Sequence, residues 1–152
     1  MLPGKISKRV VSDRLAWVDR MLAEIRALPL ESKPEFMKDT RNIWTAESCL
    51  RRALEALFDM GRHIAAKGFS EAVTEYKEIA STLNRRNVIS VSEFEVMQKI
   101  AGYRNRLVHF YHEVSADELY EICANHLGDV EQLANALRSW IANNPNILDD
   151  TL

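Results

Sequence analysis

The stretch YRNRLVHFYHE, residues 103 to 113, gathers two arginines, an asparagine, two histidines and two tyrosines within eleven positions. An imidazole titrates near neutral pH and can carry a proton in either direction, while a guanidinium offers a planar fork of donors to a phosphate. Arg104 also stands where an apolar residue is expected, because the stripe Phe94, Met97, Ala101 next falls on Arg104, Val108 and Tyr111. Burying a guanidinium without a counter-charge costs on the order of several kcal/mol, so Arg104 must meet a carboxylate or line a cleft that receives an anion. Glu47, the lone acid in an otherwise apolar helical seam, is the candidate structural partner of Arg104.

Asn105, His109 and His112 follow at i, i+4 and i+7 and share a neighbouring helical face. Arg104 and His109 are five residues apart, about 140° on a straight helix, so a long Arg side chain or a second subunit must close the gap between them. Gly102, inside the same helix, costs about 1 kcal/mol against alanine and leaves room for another backbone to approach. His109 and His112 with Glu113 do not make a ferritin-like metal site, which needs Glu-x-x-His on paired helices, a spacing the chain does not contain. No metal and no cofactor are assigned.

The elements that must position these groups are helical. The chain has 152 residues, 47% of them hydrophobic, which suits one folded domain over residues 1–152. Twenty basic against twenty-two acidic residues leave a formal charge of −2, which excludes a general polycationic coat for duplex DNA and confines any nucleic-acid contact to a local patch. Cys49 and Cys123 lack paired metal-ligand spacing and read as small buried hydrophobes. The segment MLPGKISKRVV has no continuous apolar core of a signal peptide, and no stretch approaches a membrane span, so the expected location is the cytoplasm.

Five glycines and four prolines punctuate the chain, apolar positions recur every three and four residues, and no strand alternation is convincing. A first helix is expected from about Ile6 to Leu28, with Val11, Leu15, Val18, Leu22 and Ile25 in one stripe. A second, unusually long one starts at a Ser32/Glu35 capping box and runs to about Lys67, where Gly68 offers a C-cap; its seam is Ile43, Glu47, Leu50, Leu54, Leu57, Gly61, Ile64. A short helix over about 71–83 leads to a polar loop, NRRN. Two further capping boxes, Ser92/Glu95 and Ser115/Glu118, open helices over about 92–111 and 116–143. The expected architecture is all-α: an antiparallel four-helix bundle with an additional short helix.

The stretch GYRNRLVHFYHEV resembles the signature of HEPN-domain toxins of the HepT type, small helical ribonucleases defined by Arg-x4–6-His, here Arg104 and His109 followed by Tyr111. The flanks ALFDMGRHIAAKGF, YKEIASTL and ELYEICANHL extend the resemblance over most of residues 40–140. It implies a HEPN-like bundle that dimerises, so that the motifs of two subunits line one cleft and RNA is cut without metal. His109 is then the general base or acid, Arg104 the phosphate and transition-state clamp, and Asn105 a hydrogen-bonding aid. The resemblance further implies a cognate nucleotidyltransferase antitoxin, of the kind called MntA, that adenylylates the motif tyrosine, by position Tyr111, and with which the homodimer could form a hetero-oligomer.

Blander readings stand beside these. Arg104 paired with Glu47 would be a buried polar latch in a structural dimer, and the whole chain could be a non-catalytic helical module that partners a nucleotidyltransferase. His126 sits in an apolar stripe and reads as packing or a cap, and Trp17, Trp44 and Trp140 as core or interface residues. Arg51, Arg52, Arg62, Arg85 and Arg86 could help an RNA groove or be merely solvated.

Overall fold

A computed structural model of the chain describes residues 5–109 and 114–149, with His109 described in its backbone only. A two-residue strand β1 (Ile6–Ser7) leads into α1 (Lys8–Arg26), followed by α2 (Lys33–Lys38) and α3 (Thr40–His63). The end of α3 widens into a π-helical turn, Ile64–Gly68. Then come α4 (Tyr76–Arg85), α5 (Val91–His109), α6 (Ala116–Asn125), α7 (Leu127–Ala142), a 3-10 turn (Pro145–Ile147) and β2 (Leu148–Asp149). Apart from the two-residue strands, the described fold is all-α. None of the described helices is long and apolar enough to cross a membrane.

The helix directions follow from the contacts between their ends. Asp19 and Arg26 of α1 meet Arg138 and Glu131 of α7, in reversed order, so these helices run antiparallel. Ser7 at the start of α1 reaches His63 at the end of α3, which sets the same relation between that pair. α3 is the spine: Leu50, Leu54, Leu57, Phe58 and Met60 are fully buried, with Val18, Leu22 and Ile25 of α1 against them in one core. Thus the first stripe expected from the sequence is the buried one, with Leu15 packed at its edge.

Breaks appear where local hydrogen bonding competes with the helix. The expected single helix from Ser32 to Lys67 is divided at Asp39, whose backbone is extended (φ −118°, ψ 112°) and whose carboxylate accepts the amide of Arg41 at 2.9 Å. An Asp that captures a following amide starts a new helix. In the same way the expected helix 116–143 is broken at His126 (φ −125°, ψ 8°), where α6 ends and α7 begins; His126 makes no side-chain cap there.

Two starts are shifted. α4 begins at Tyr76, not near Glu71, because Ser70 takes a left-handed backbone (φ 56°) and the amide of Glu71 returns to the Ala65 carbonyl. For α5 the working capping box is Ser90/Glu93: Ser90 Oγ accepts the Glu93 amide at 3.1 Å and Glu93 Oε1 accepts the Ser90 amide at 2.8 Å. The overlapping Ser92/Glu95 pair is spare, since only one serine can stand outside the first turn.

The sequence reading also missed a pairing of chain ends. β1 and β2 form a parallel ladder, Ile6 opposite Leu148 and Ser7 opposite Asp149. Two residues are too few to show an alternation, and their partners lie at opposite ends of the chain. Gly68 makes room for this junction, because a Cβ there would stand 3.3 Å from both Ile147 and Ile6.

Candidate functional site

Three elements build the site. α5 carries Arg104 and Asn105, the first turn of α4 brings Tyr76 and Lys77, and the last turn of α3 brings Arg62. They surround an open cleft of about 450 Å³, also lined by Thr74 and Glu75. α4 and α3 can approach because position 61 is glycine: a Cβ there would lie 3.0 Å from Ile79 and 3.1 Å from Leu83. The bare turn of α3 therefore sets how deeply α4 sits, and with it the position of Tyr76.

Tyr76 is the floor. It is buried, stacks on Phe58 with centroids 4.4 Å apart, and receives the Arg104 guanidinium on its ring at 4.2 Å. Burial pushes its phenol pKa up, and the Arg104 charge beside it pulls the other way. The Nε of Arg104 is buried and finds no hydrogen-bond acceptor among the described residues. An N–H lying against an aromatic face gains part of that interaction from the ring, and a cation on such a face contributes about 0.5–2 kcal/mol. The ring thus supplies the favourable contact that an unpaired guanidinium in this position needs.

The expected pairing of Arg104 with Glu47 does not form among the described residues. The charges that bear on Tyr76, under the Arg104 guanidinium, are Glu55, Asp59 and Arg62. Glu47 lies eight residues before Glu55 on α3, about 12 Å along the helix axis. The apolar seam of α3 is closed by Leu50, Leu54 and Leu57 without it.

Arg104 and Asn105 are neighbours in sequence on different faces, yet both line the cleft. The cleft is wide enough to span the angle between them, and Asn105 points the way along its own face to His109, one turn further and the last residue of α5. Tyr111 and His112 lie outside the described residues. Val108, expected inward, is 40% exposed, and the buried positions of α5 are Met97, Ile100, Ala101 and Leu107. The inward stripe is therefore rotated, which leaves Arg104 half-buried at its edge instead of in the core. Gly102 has nothing within 4 Å of where a Cβ would stand.

Of the other basic residues, Arg85 and Arg86 are both held by Glu71, and Arg86 also lies over the Phe69 ring. Arg51 faces Glu55 at 3.4 Å, one helical turn away. Arg62 alone of that set lines the cleft. Tyr76 and Lys77 were not singled out from the sequence: the contact between Tyr76 and Arg104 joins residues 28 positions apart, and periodicity within a helix carries no signal of it. Trp44 is 65% exposed, so it is not a core residue.

Residues 18–137 match the family model described as Ribonuclease HepT-like. The chain belongs to the ribonuclease HepT-like family. It is therefore an enzyme of the ribonuclease class. The chain is 27% identical over 90 residues to the mRNA nuclease HepT of Shewanella oneidensis, a match that covers 59% of this chain and 68% of that protein. Its fold is similar to that of a tri-AMPylated Shewanella oneidensis HEPN toxin solved in complex with an MNT antitoxin (TM-score 0.76, 22% identity, 86% of this chain and 97% of that one). It is equally similar to YutE, a cytosolic protein of Bacillus subtilis (TM-score 0.75, 18% identity, 92% and 94%). The HepT-like match spans α3 to α6 whole, and so includes every residue of the cleft.

Proposed function

We propose that this HepT-like chain is the toxin of a toxin–antitoxin pair, an endoribonuclease that cuts RNA without a metal through Arg104, Asn105 and His109. The observation that carries the reading is the guanidinium of Arg104, laid on Tyr76 with no carboxylate partner among the described residues, beside Asn105 in an open cleft one turn before His109. RNA brings its own nucleophile. The 2′-OH attacks the adjacent phosphorus as the P–O5′ bond breaks, giving a 2′,3′-cyclic phosphate and a 5′-OH. His109 takes the proton from the 2′-oxygen or gives one to the 5′-oxygen, and Arg104 balances the charge that develops on the phosphorane.

The single domain pairs with a second copy, so that one subunit's Arg104 and the other's His109 flank the same phosphate. The relatives solved with an antitoxin support a nucleotidyltransferase partner for this chain as well. That partner adenylylates Tyr111, seven positions after Arg104 in the sequence, and the AMP it adds is an anion of the kind a guanidinium attracts.

The test is cleavage of RNA by the intact chain in EDTA beside its His109→Ala and Arg104→Ala forms. The wild type should cut and leave cyclic phosphate ends, and both variants should lose that activity while remaining folded. Equal cleavage by the His109→Ala protein would overturn the assignment.

A further inference from the structure

The cleft that holds Arg104 contains two more cations. Arg62 brings its guanidinium to 5.9 Å from the same Tyr76 ring that Arg104 covers at 4.2 Å, and Lys77 lines the cleft from the first turn of α4. The two guanidinium carbons are therefore at most about 10 Å apart, across one ring.

The fork of Arg62 is held in place. One terminal nitrogen donates to Asp59 at 3.2 Å and the other to the Thr74 carbonyl at 3.3 Å, while its Nε is buried without an acceptor among the described residues. Of the charged residues that line the cleft itself, Arg62, Lys77 and Arg104 are cationic and Glu75 is acidic, while Asp59 and Glu55 bear on the Tyr76 ring from α3. The first turn of α4 has no side-chain cap, and its free amides add partial positive charge on the same side.

The floor is closed to bases. Tyr76 is covered by Phe58 on one side and by Arg104 on its ring, so no aromatic face is left for base stacking, and the group recognised here is a backbone phosphate.

We propose that Arg62 and Lys77 form a second phosphate subsite for single-stranded RNA, next to the scissile phosphodiester held by Arg104. The strand is thereby gripped at two successive phosphates. The placement of the scissile phosphate rests on the nuclease reading above; the subsite itself is an anion site with its own measurable signature.

Binding of a fluorescent oligoribonucleotide by the full chain, in a His109→Ala background, is measured across a salt series. Each phosphate contact on a single strand contributes about 0.7 to the slope of log affinity against log salt. Lys77→Met and Arg62→Gln should each reduce that slope by about 0.7 and weaken binding alike for unrelated sequences. Arg138→Gln, whose guanidinium holds Asp19 on the α1–α7 side, should leave the slope unchanged. Lys77 is exposed, so its substitution decides the matter even if Arg62→Gln perturbs folding. Unchanged slopes in the cleft variants, or an equal reduction in Arg138→Gln, overturn the proposal. Wild-type cleavage is scored separately: its absence removes the nuclease reading and leaves the subsite to stand or fall on the slope.

Discussion

The Arg104 guanidinium rests 4.2 Å from the centre of the Tyr76 ring, and that ring is itself stacked on Phe58 of α3. The orientation of a charged side chain on α5 is thus set by aromatic packing between α3 and α4. The informative comparison is between losing the hydroxyl alone and losing the ring with it. Tyr76→Phe should keep RNA cleavage within about twofold of wild type, because the π face survives. Tyr76→Leu should reduce it by about tenfold or somewhat more, since the cation–π contact is of the order of 1–2 kcal/mol and each 1.4 kcal/mol is a factor of ten. Cleavage rates of the two proteins, compared at equal folded fraction by circular dichroism, check this. Equal losses in both would point to the phenol instead.

Two glycines give opposite expectations. At Gly61 an added methyl would press on Ile79 and Leu83 at 3.0 and 3.1 Å, and overpacking of this kind costs about 1–3 kcal/mol. Gly61→Ala should lower the midpoint of urea unfolding accordingly. At Gly102 nothing lies within 4 Å, so Gly102→Ala should raise the stability of the single chain by up to about 1 kcal/mol through helix propensity. If a second subunit packs there, the same variant weakens association, which sedimentation at several concentrations resolves.

The start of α5 separates two overlapping serines. Ser90 makes the reciprocal bonds with Glu93, so Ser90→Ala should cost about 1 kcal/mol. Ser92 bonds no helix amide, its hydroxyl meeting only the Ser90 Oγ at 3.1 Å on an exposed surface, so Ser92→Ala should change stability by no more than about 0.5 kcal/mol. Thermal unfolding of the two variants distinguishes the registers directly.

What the sequence made legible was what repeats along one helix. The stripes of α1 and α3 are buried as their three-and-four spacing demands, and Arg104 was visible because it interrupted such a stripe. The breaks at Asp39 and His126 were not, since an apolar pattern runs through a kink unaltered and only the local competition of a side chain or a backbone angle reveals it. The ring under Arg104 was hidden for a related reason. A guanidinium in an apolar stripe points to a carboxylate such as Glu47 or to a cleft that receives an anion, whereas the face of Tyr76 belongs to a residue that looks like ordinary core packing. The strand pair joining Ile6 to Leu148 depends on the closure of the whole bundle and has no local signature.

That closure carries a pH dependence. His63 Nε2 accepts the backbone amide of Ser7 at 2.9 Å, which requires the imidazole to be neutral at that nitrogen and ties the start of α1 to the end of α3. Burial lowers the His63 pKa, and the neighbouring charges of Lys67 and Arg14 lower it further. A histidine whose folded pKa lies below its unfolded value of about 6.5 binds its proton more readily when unfolded. Its contribution to stability is therefore complete above that value and is lost as pH falls through the folded pKa. The melting temperature of the wild type should drop as the pH falls below about 6.5. His63→Gln, which still offers an oxygen to Ser7 but does not titrate, should flatten the drop. A variant curve parallel to the wild type throughout that window would assign the acid sensitivity to other groups and leave the His63–Ser7 bond without a titrating role.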